Sequence, residues 1–131
     1  MDKKLKDSLS KIKLLICDID GVLTDGSFIK STSGEELRSF NALDGVGFVV
    51  LRLLDLNVKT AWITGRESIT TTQRAEELQI DDVYNGVIRK IDAYNELKKK
   101  YELSDSEVCF IGDDIIDCLL YTSDAADDAG S

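Results

Sequence analysis

Short apolar runs that alternate with helical patterns are the feature that most limits how this chain can fold. Buried strands are predicted by three apolar runs, at residues 13–17, 58–63 and 108–111. Helices are predicted by apolar periodicity in three further segments, at residues 44–57, 66–80 and 90–103. Strands that alternate with helices form parallel sheets with right-handed crossovers, and such sheets bind ligands beyond the carboxyl ends of their strands. We therefore predict an α/β domain with its functional site at that edge.

One segment interrupts the alternation directly after the first predicted strand. Residues 27–40 carry the polar sequence STSGE between two short β-compatible arms, which predicts an inserted β-hairpin. The arms carry four apolar side chains that a two-stranded ribbon cannot bury alone, so we expect them to pack in a symmetric oligomer; they are Phe28, Ile29, Leu37 and Phe40.

The end of the chain differs in composition from the rest. Residues 121–131 are small and acidic and show no periodicity, which predicts a disordered tail outside the core. The domain is therefore expected to cover residues 1–120. Because it stops soon after the sequence GDD, without a further strand and helix, we expect it to be truncated at its C-terminus.

Composition restricts the chemistry that this chain of 131 residues, which is long enough for one domain, can perform. Its net charge of −9 argues against nucleic acid as a partner, because binding to phosphate backbones needs clustered Lys and Arg. The chain contains no histidine, which excludes histidine general bases and histidine-ligated zinc. Carboxylates must therefore carry any catalysis.

The cysteines and the hydropathy indicate the cellular compartment in which the protein is expected. Three cysteines, at positions 17, 109 and 118, are odd in number and show no CxxC spacing, so we expect reduced thiols in a cytoplasmic protein. No apolar stretch approaches the length of a membrane span, and the run LLIC is too short for a signal peptide. We expect no membrane partner.

Polar side chains that suit phosphate chemistry occur at four places near predicted strand ends or turns. They are Asp18 with Asp20, then Thr64, then Lys90, and last Asp113 with Asp114 and Asp117. Clustered carboxylates ionise together only when a cation neutralises them, and oxygen ligands suit Mg²⁺. A threonine hydroxyl and a lysine ammonium suit the remaining oxygens of a phosphoryl group. In Asp-X-Asp both side chains point the same way, so one can attack phosphorus while the other transfers a proton.

Each feature taken alone has a simpler interpretation. Asp-Gly and GDD are typical of turns, Thr64 followed by glycine is typical of a helix N-cap, and a lysine that opens a Lys-rich helix is typically solvated. An EF-hand calcium loop beginning at Asp18 is excluded, because it would need an oxygen ligand at Val22 and a glycine at Leu23. Their joint occurrence in this order favours phosphoryl transfer.

The order DxDG, (S/T)G, Lys and GDDxxD resembles the haloacid dehalogenase (HAD) superfamily of aspartyl-phosphate phosphatases. More narrowly, DIDGVLTDG, FNALDGVG, ITGR and GDDIID resemble the 3-deoxy-D-manno-octulosonate 8-phosphate (KDO 8-phosphate) phosphatases over roughly residues 12–118. The resemblance implies a HAD-like, Rossmann-like three-layer α/β fold with a parallel sheet and no large cap domain. It also implies a Mg²⁺-dependent hydrolase of KDO 8-phosphate, an enzyme of lipopolysaccharide biosynthesis, that forms homotetramers through the hairpins.

The resemblance further implies a role for each motif residue. Asp18 would be the nucleophile, and Asp20 the general acid and base. Mg²⁺ would be held by Asp18, Asp113 and the backbone carbonyl of Asp20, with Asp114 and Asp117 supporting the loop. Phosphate would be bound by Thr64 and Lys90. The sugar acid would be faced by Arg66, Asn41, Asp44 and Gly45.

Three alternatives stay open at this point. A nine-carbon, sialic-type sugar-acid 9-phosphate is the main rival substrate. A non-catalytic HAD-like oligomerisation domain is a second alternative. A signalling receiver domain is the third, but receivers place their acidic pair at the first strand and a lone phosphoacceptor aspartate at the third, where this chain has Thr64.

Overall fold

The computed structural model describes residues 2–112, and the predicted alternation of strands and helices is confirmed within that range. The strands are β1 (Leu14–Asp18), β2 (Ile29–Lys30), β3 (Glu36–Leu37), β4 (Lys59–Ile63), β5 (Asp82–Tyr84) and β6 (Val108–Ile111). The helices are α1 (Lys3–Ser10), α2 (Ala42–Leu53), α3 (Ile69–Leu78) and α4 (Lys90–Tyr101), with a 3₁₀ turn at Asp105–Glu107.

Among the described residues, strand β1 lies inside a four-stranded parallel sheet with the order β5-β4-β1-β6. Its last residue, Asp18, lies opposite Ile63 of β4, and Cys17 lies opposite Ile111 of β6. The carboxyl ends of these three strands therefore meet at one edge, as the alternation predicts.

Helices cover both faces of the sheet, which confirms the three-layer α/β architecture. On one face, Leu14 and Ile16 of β1 pack with Leu97 of α4, and all three are fully buried. On the other face, Cys17 and Trp62 pack with side chains of α2 and α3. Successive β1 residues alternate between these two cores because side chains in a strand point to opposite faces.

Helix α2 begins and ends earlier than the predicted segment 44–57. The carboxamide of Asn41 caps it by accepting the backbone N–H of Leu43 at 2.8 Å. Beyond Leu53 the backbone turns away, and Asp55 and Asn57 adopt φ angles of 49° and 56° in the left-handed region.

Two elements had no predicted counterpart. Helix α1 is capped by the Asp2 carboxylate, which accepts the Lys4 N–H at 3.1 Å, and none of its residues is buried. Strand β5 has only three residues, each half-buried, and it extends the sheet beyond β4. Both are too short or too polar to give a clear apolar pattern.

The predicted hairpin forms from β2 and β3, with Ile29 opposite Leu37. Phe28, Ile29 and Leu37 are exposed as expected. The expectation for Phe40 is wrong, since its ring stacks on Trp62 with centroids 6.0 Å apart. Phe40 belongs to the core beneath α2 because the chain turns inward before that helix.

Several predictions fall on residues outside the described range. They concern Asp113, Asp114, Asp117, Cys118 and the tail 121–131. Within residues 2–112, Cys17 and Cys109 are free thiols. No helix among these residues is both long enough and apolar enough to cross a membrane.

Candidate active site

Asp18 and Lys90 form a buried ion pair at the carboxyl end of β1. The Lys90 Nζ lies 3.0 Å from the Asp18 Oδ1, and the two side chains are 3% and 5% exposed, respectively. Alternation along β1 turns Asp18 toward the face that α4 covers, and Lys90 is the first residue of that helix. Lys90 is therefore not a solvated surface charge, and the simpler interpretation of this residue is wrong.

Thr64 follows β4 directly and so lies beside Asp18, whose strand partner is Ile63. It is buried, and its Oγ1 accepts the backbone N–H of Arg66 at 3.2 Å. The helix-cap interpretation is wrong, because α3 begins only after Ser68. The structure thus pairs Asp18 directly with Lys90 and places Thr64 at the end of the neighbouring strand, as the strand-end argument predicts.

Asp20 lies in a tight turn that follows β1. The backbone N–H of Thr24 donates to the Ile19 carbonyl at 3.2 Å, and the Thr24 hydroxyl accepts the N–H groups of Gly21 and Gly26 at 3.3 and 3.2 Å. Gly21 has a φ of 87°, which a residue with a side chain adopts only with strain. The turn therefore holds the Asp20 backbone by its own hydrogen bonds.

The Asp20 side chain meets a guanidinium group that the sequence analysis missed. Arg38 Nε donates to Asp20 Oδ1 at 2.9 Å, and Arg38 Nη2 lies 3.4 Å from Glu36 Oε2. The Arg38 side chain is 1% exposed, whereas that of Asp20 is 26% exposed. One signal was available: Glu36 and Arg38 are two residues apart, so both project from the same face of the hairpin arm.

Arg66 also contacts the hairpin. Its Nη1 lies 3.3 Å from Glu36 Oε1, and its guanidinium carbon lies 4.0 Å from the centroid of the Phe28 ring. Glu36 therefore bridges two arginines, one on the hairpin and one in the loop after β4.

The residues expected to face a sugar acid do not all lie together. Asn41 and Asp44 line a cavity of about 580 Å³ together with residues 22–25 of the turn after β1. Gly45 is a buried residue of α2, where a Cβ atom would lie 2.5 Å from the terminal Nη2 of Arg74 and 3.3 Å from Leu78 Cδ2, both on α3.

Asp25, the third aspartate of the DIDGVLTDG segment, forms hydrogen bonds within its own turn. Its Oδ1 accepts the hydroxyl of Ser27 at 2.6 Å and the Ser27 N–H at 3.0 Å. These two hydrogen bonds lower the pKa of the Asp25 carboxyl below its ordinary value, and the bond from the Ser27 hydroxyl has the larger effect.

The donors at this edge suit a hard divalent cation. Asp18 and Asp20 supply carboxylate and carbonyl oxygens, which Mg²⁺ prefers. Within residues 2–112 no three metal-ligating side chains gather in one group. The expected third ligand, Asp113, lies outside that range. The available residues are chemically consistent with Mg²⁺.

Comparisons with known proteins bear on this arrangement. No protein-family model matches the chain. It is 43% identical over 108 residues to the 3-deoxy-D-manno-octulosonate 8-phosphate phosphatase of Yersinia pestis, a match that covers 82% of this chain and 57% of that protein. The chain thus spans little more than half the length of this curated relative.

Solved structures that resemble this chain agree with the sequence match. The KDO 8-phosphate phosphatase of Moraxella catarrhalis, in complex with magnesium ion, phosphate ion and KDO, matches with a TM-score of 0.83 and 34% identity, covering 89% of this chain and 66% of that one. A structure described as a HAD superfamily (subfamily III A) hydrolase of Legionella pneumophila matches with a TM-score of 0.83 and 40% identity, covering 89% and 63%.

Proposed function

Because this chain belongs to the KDO 8-phosphate phosphatase family of the HAD superfamily, we propose that it is a Mg²⁺-dependent phosphomonoester hydrolase acting on KDO 8-phosphate. The observation that carries the proposal is the buried pair of Asp18 and Lys90 beside Thr64. It combines a carboxylate nucleophile with a cationic phosphate ligand at one strand end. Membership in this family excludes the receiver-domain alternative.

Asp18 is the proposed nucleophile. One carboxylate oxygen attacks phosphorus in line, the bond from phosphorus to the sugar oxygen breaks, and an aspartyl phosphate forms. The Lys90 ammonium and the Thr64 hydroxyl bind the phosphoryl oxygens. Water then attacks the phosphorus of the intermediate, which releases inorganic phosphate and regenerates Asp18.

Asp20 is the proposed general acid and base. Its carboxyl group donates a proton to the departing sugar alkoxide, and the resulting carboxylate accepts a proton from the attacking water. The greater exposure of the Asp20 side chain, 26% against 5% for Asp18, is consistent with a group that must meet both the leaving group and water.

Mg²⁺ would be held by Asp18, by the backbone carbonyl of Asp20 and by Asp113, with Asp114 and Asp117 supporting that loop. When bound, the cation offsets the repulsion between the nucleophilic carboxylate and the phosphate dianion. The sugar acid is proposed to contact Arg66, Asn41 and Asp44; the assignment of Gly45 to this set stays a prediction.

We also propose a cytoplasmic homotetramer. The exposed Phe28, Ile29 and Leu37 support it, because a two-stranded hairpin in water leaves these side chains without a core. The catalytic domain is proposed to extend to residue 120, with 121–131 as a tail.

The test is a phosphate-release assay on this chain and on a version extended with the C-terminal segment of the Yersinia pestis relative. Substrates are KDO 8-phosphate, a nine-carbon sugar-acid 9-phosphate and a hexose phosphate, each with Mg²⁺ or with EDTA. We expect the eight-carbon substrate to be hydrolysed fastest, EDTA to abolish release and added Mg²⁺ to restore it. No turnover in either form contradicts the proposed function, faster turnover of the nine-carbon substrate contradicts the substrate assignment, and full activity in EDTA contradicts the metal requirement.

A further inference from the structure

Arg38 is a buried cation that the mechanism above does not use. Its side chain is 1% exposed, yet Nη1 is buried with no hydrogen-bond partner among residues 2–112. Burying a guanidinium is unfavourable unless all its donors are paired, and a buried ion pair is weak evidence of a stabilising role. This partly satisfied arginine therefore calls for an explanation other than stability.

Direct contact with a substrate does not explain it. Nε and Nη2 of Arg38 already face the carboxylates of Asp20 and Glu36, at 2.9 and 3.4 Å, so an incoming anion would have to compete with both. Asp20, which Arg38 contacts at 2.9 Å, is reachable from solvent. Arg38 touches Asp20 directly but reaches Arg66 only through Glu36, so its most direct route to the reaction is through Asp20.

We propose that Arg38 is a positioning residue that orients the Asp20 carboxylate for proton transfer, an inference that rests on the function proposed above. The Nε–H of Arg38 occupies Asp20 Oδ1, and among residues 2–112 no hydrogen bond is made to Oδ2. Oδ2 is then the oxygen that exchanges the proton with the leaving group and the water. The two carboxylate oxygens have separate tasks.

The hairpin fixes Arg38 in turn. Glu36, on the same face of the arm, lies 3.4 Å from Arg38 Nη2 and also 3.3 Å from Arg66 Nη1. The planar guanidinium imposes a direction on its hydrogen bonds that a lysine ammonium does not. Direction matters because a displacement of about 1 Å at a reacting group can cost roughly 100-fold in rate.

The test is a double-mutant cycle on whichever chain form turns over in the phosphate-release assay. Arg38→Met keeps the aliphatic stem and removes the guanidinium. With a sugar phosphate, we expect the first-turnover burst of leaving group to slow by roughly 100-fold, since general acid catalysis contributes about that much or more. With an aryl phosphate, whose leaving group needs no proton, the burst should slow by less than about 5-fold. Arg38→Lys should recover part of the loss.

Two comparisons separate positioning from a general structural role. In an Asp20→Asn background, Arg38→Met should slow the sugar-phosphate burst by less than about 2-fold further, because its effect passes through a carboxylate already removed. Arg52→Met is the control: that guanidinium also bonds within the protein, donating to the Leu78 carbonyl at 3.1 Å, and both bursts should be unchanged. Equal losses for the two substrates, or fully additive losses in the cycle, would overturn the proposal.

Urea unfolding of the wild type, Arg38→Met, Asp20→Asn and the double variant tests the contact between Arg38 and Asp20 without relying on enzyme activity. The drop in urea midpoint caused by Arg38→Met should be clearly smaller in the Asp20→Asn background, and equal drops would overturn the proposal whether or not the protein turns over. If the drop is smaller in the Asp20→Asn background but no form of the protein turns over, the contact between Arg38 and Asp20 is supported and the proposed function is refuted. Where Arg38→Met does not fold, Arg38→Lys enters both cycles, with a smaller loss but the same preference for the aryl substrate.

Discussion

Replacing Lys90 by methionine should destabilise the protein strongly, because it leaves the Asp18 carboxylate buried without its nearest cation. At the observed separation of 3.0 Å, the Coulomb energy of the pair is about 5.5 kcal/mol for an effective dielectric constant of about 20. Removing one partner of a buried ion pair typically costs about 3–5 kcal/mol. We therefore expect Lys90→Met to lower the free energy of unfolding by about 3–5 kcal/mol, a large share of the roughly 5–15 kcal/mol of a typical domain.

Urea denaturation in EDTA measures this loss, with the slope of the transition fixed between variants. The matched control is Lys99→Met, an exposed lysine of the same helix, which should change stability by no more than about 0.5 kcal/mol. The double variant Asp18→Asn/Lys90→Met should recover most of the loss, because it removes both charges of the pair.

Adding Mg²⁺ extends the same measurement. A cation that binds the Asp18 carboxylate stabilises the folded state by mass action, so Mg²⁺ should raise the stability of Lys90→Met. A loss below about 1 kcal/mol for Lys90→Met in EDTA would refute the argument from burial, as would a double variant less stable than Lys90→Met itself.

Three further predictions concern the nucleophile pair, the hairpin and a buried thiol. Asp18→Asn should abolish aspartyl phosphate with every leaving group, whereas Asp20→Asn should preserve the burst from an aryl phosphate far better than that from a sugar phosphate; equal loss of both bursts would contradict these roles. Replacing both Phe28 and Ile29 by Asp should lower the mass seen by light scattering and reduce activity, whereas a fully active wild-type monomer at micromolar concentration would contradict the tetramer. Burial raises the pKa of the Cys17 thiol from 9.0 to about 12, with nearby Cys109 adding to the shift, so the unfolded thiol ionises first. Between these two pH values the urea midpoint should fall as pH rises, and Cys17→Ala should flatten that fall.

The convergence of Asp18, Thr64 and Lys90 could be predicted because it depends on strand register and little else. Once two apolar runs are parallel neighbours, the residues that follow them must meet at one edge. Lys90 adds only the condition that its helix packs on the face to which Asp18 points, and alternation along β1 fixes that face.

Arg38 and Phe40 could not be placed in the same way, because their partners lie far along the chain. Nothing local indicates that the hairpin folds back far enough for Arg38 to meet Asp20, or that Phe40 stacks on Trp62. The end of α2 was misjudged for a related reason. Apolar periodicity continues past Leu53, while the left-handed backbone at Asp55 ends the helix there.

The position of β1 between two bonded neighbours has a consequence for amide hydrogen exchange. Its backbone is joined to β4 and β6 on either side, so its amides should exchange only when the whole domain opens. The hairpin is a two-residue ladder at the periphery, and its amides should exchange through local opening. The two carboxylates of the Asp-X-Asp motif are thus anchored differently: Asp18 belongs to a strand expected to be highly protected, while the side chain of Asp20 is held by a ribbon that can open alone. The orientation of Asp20 can therefore change without any movement of Asp18.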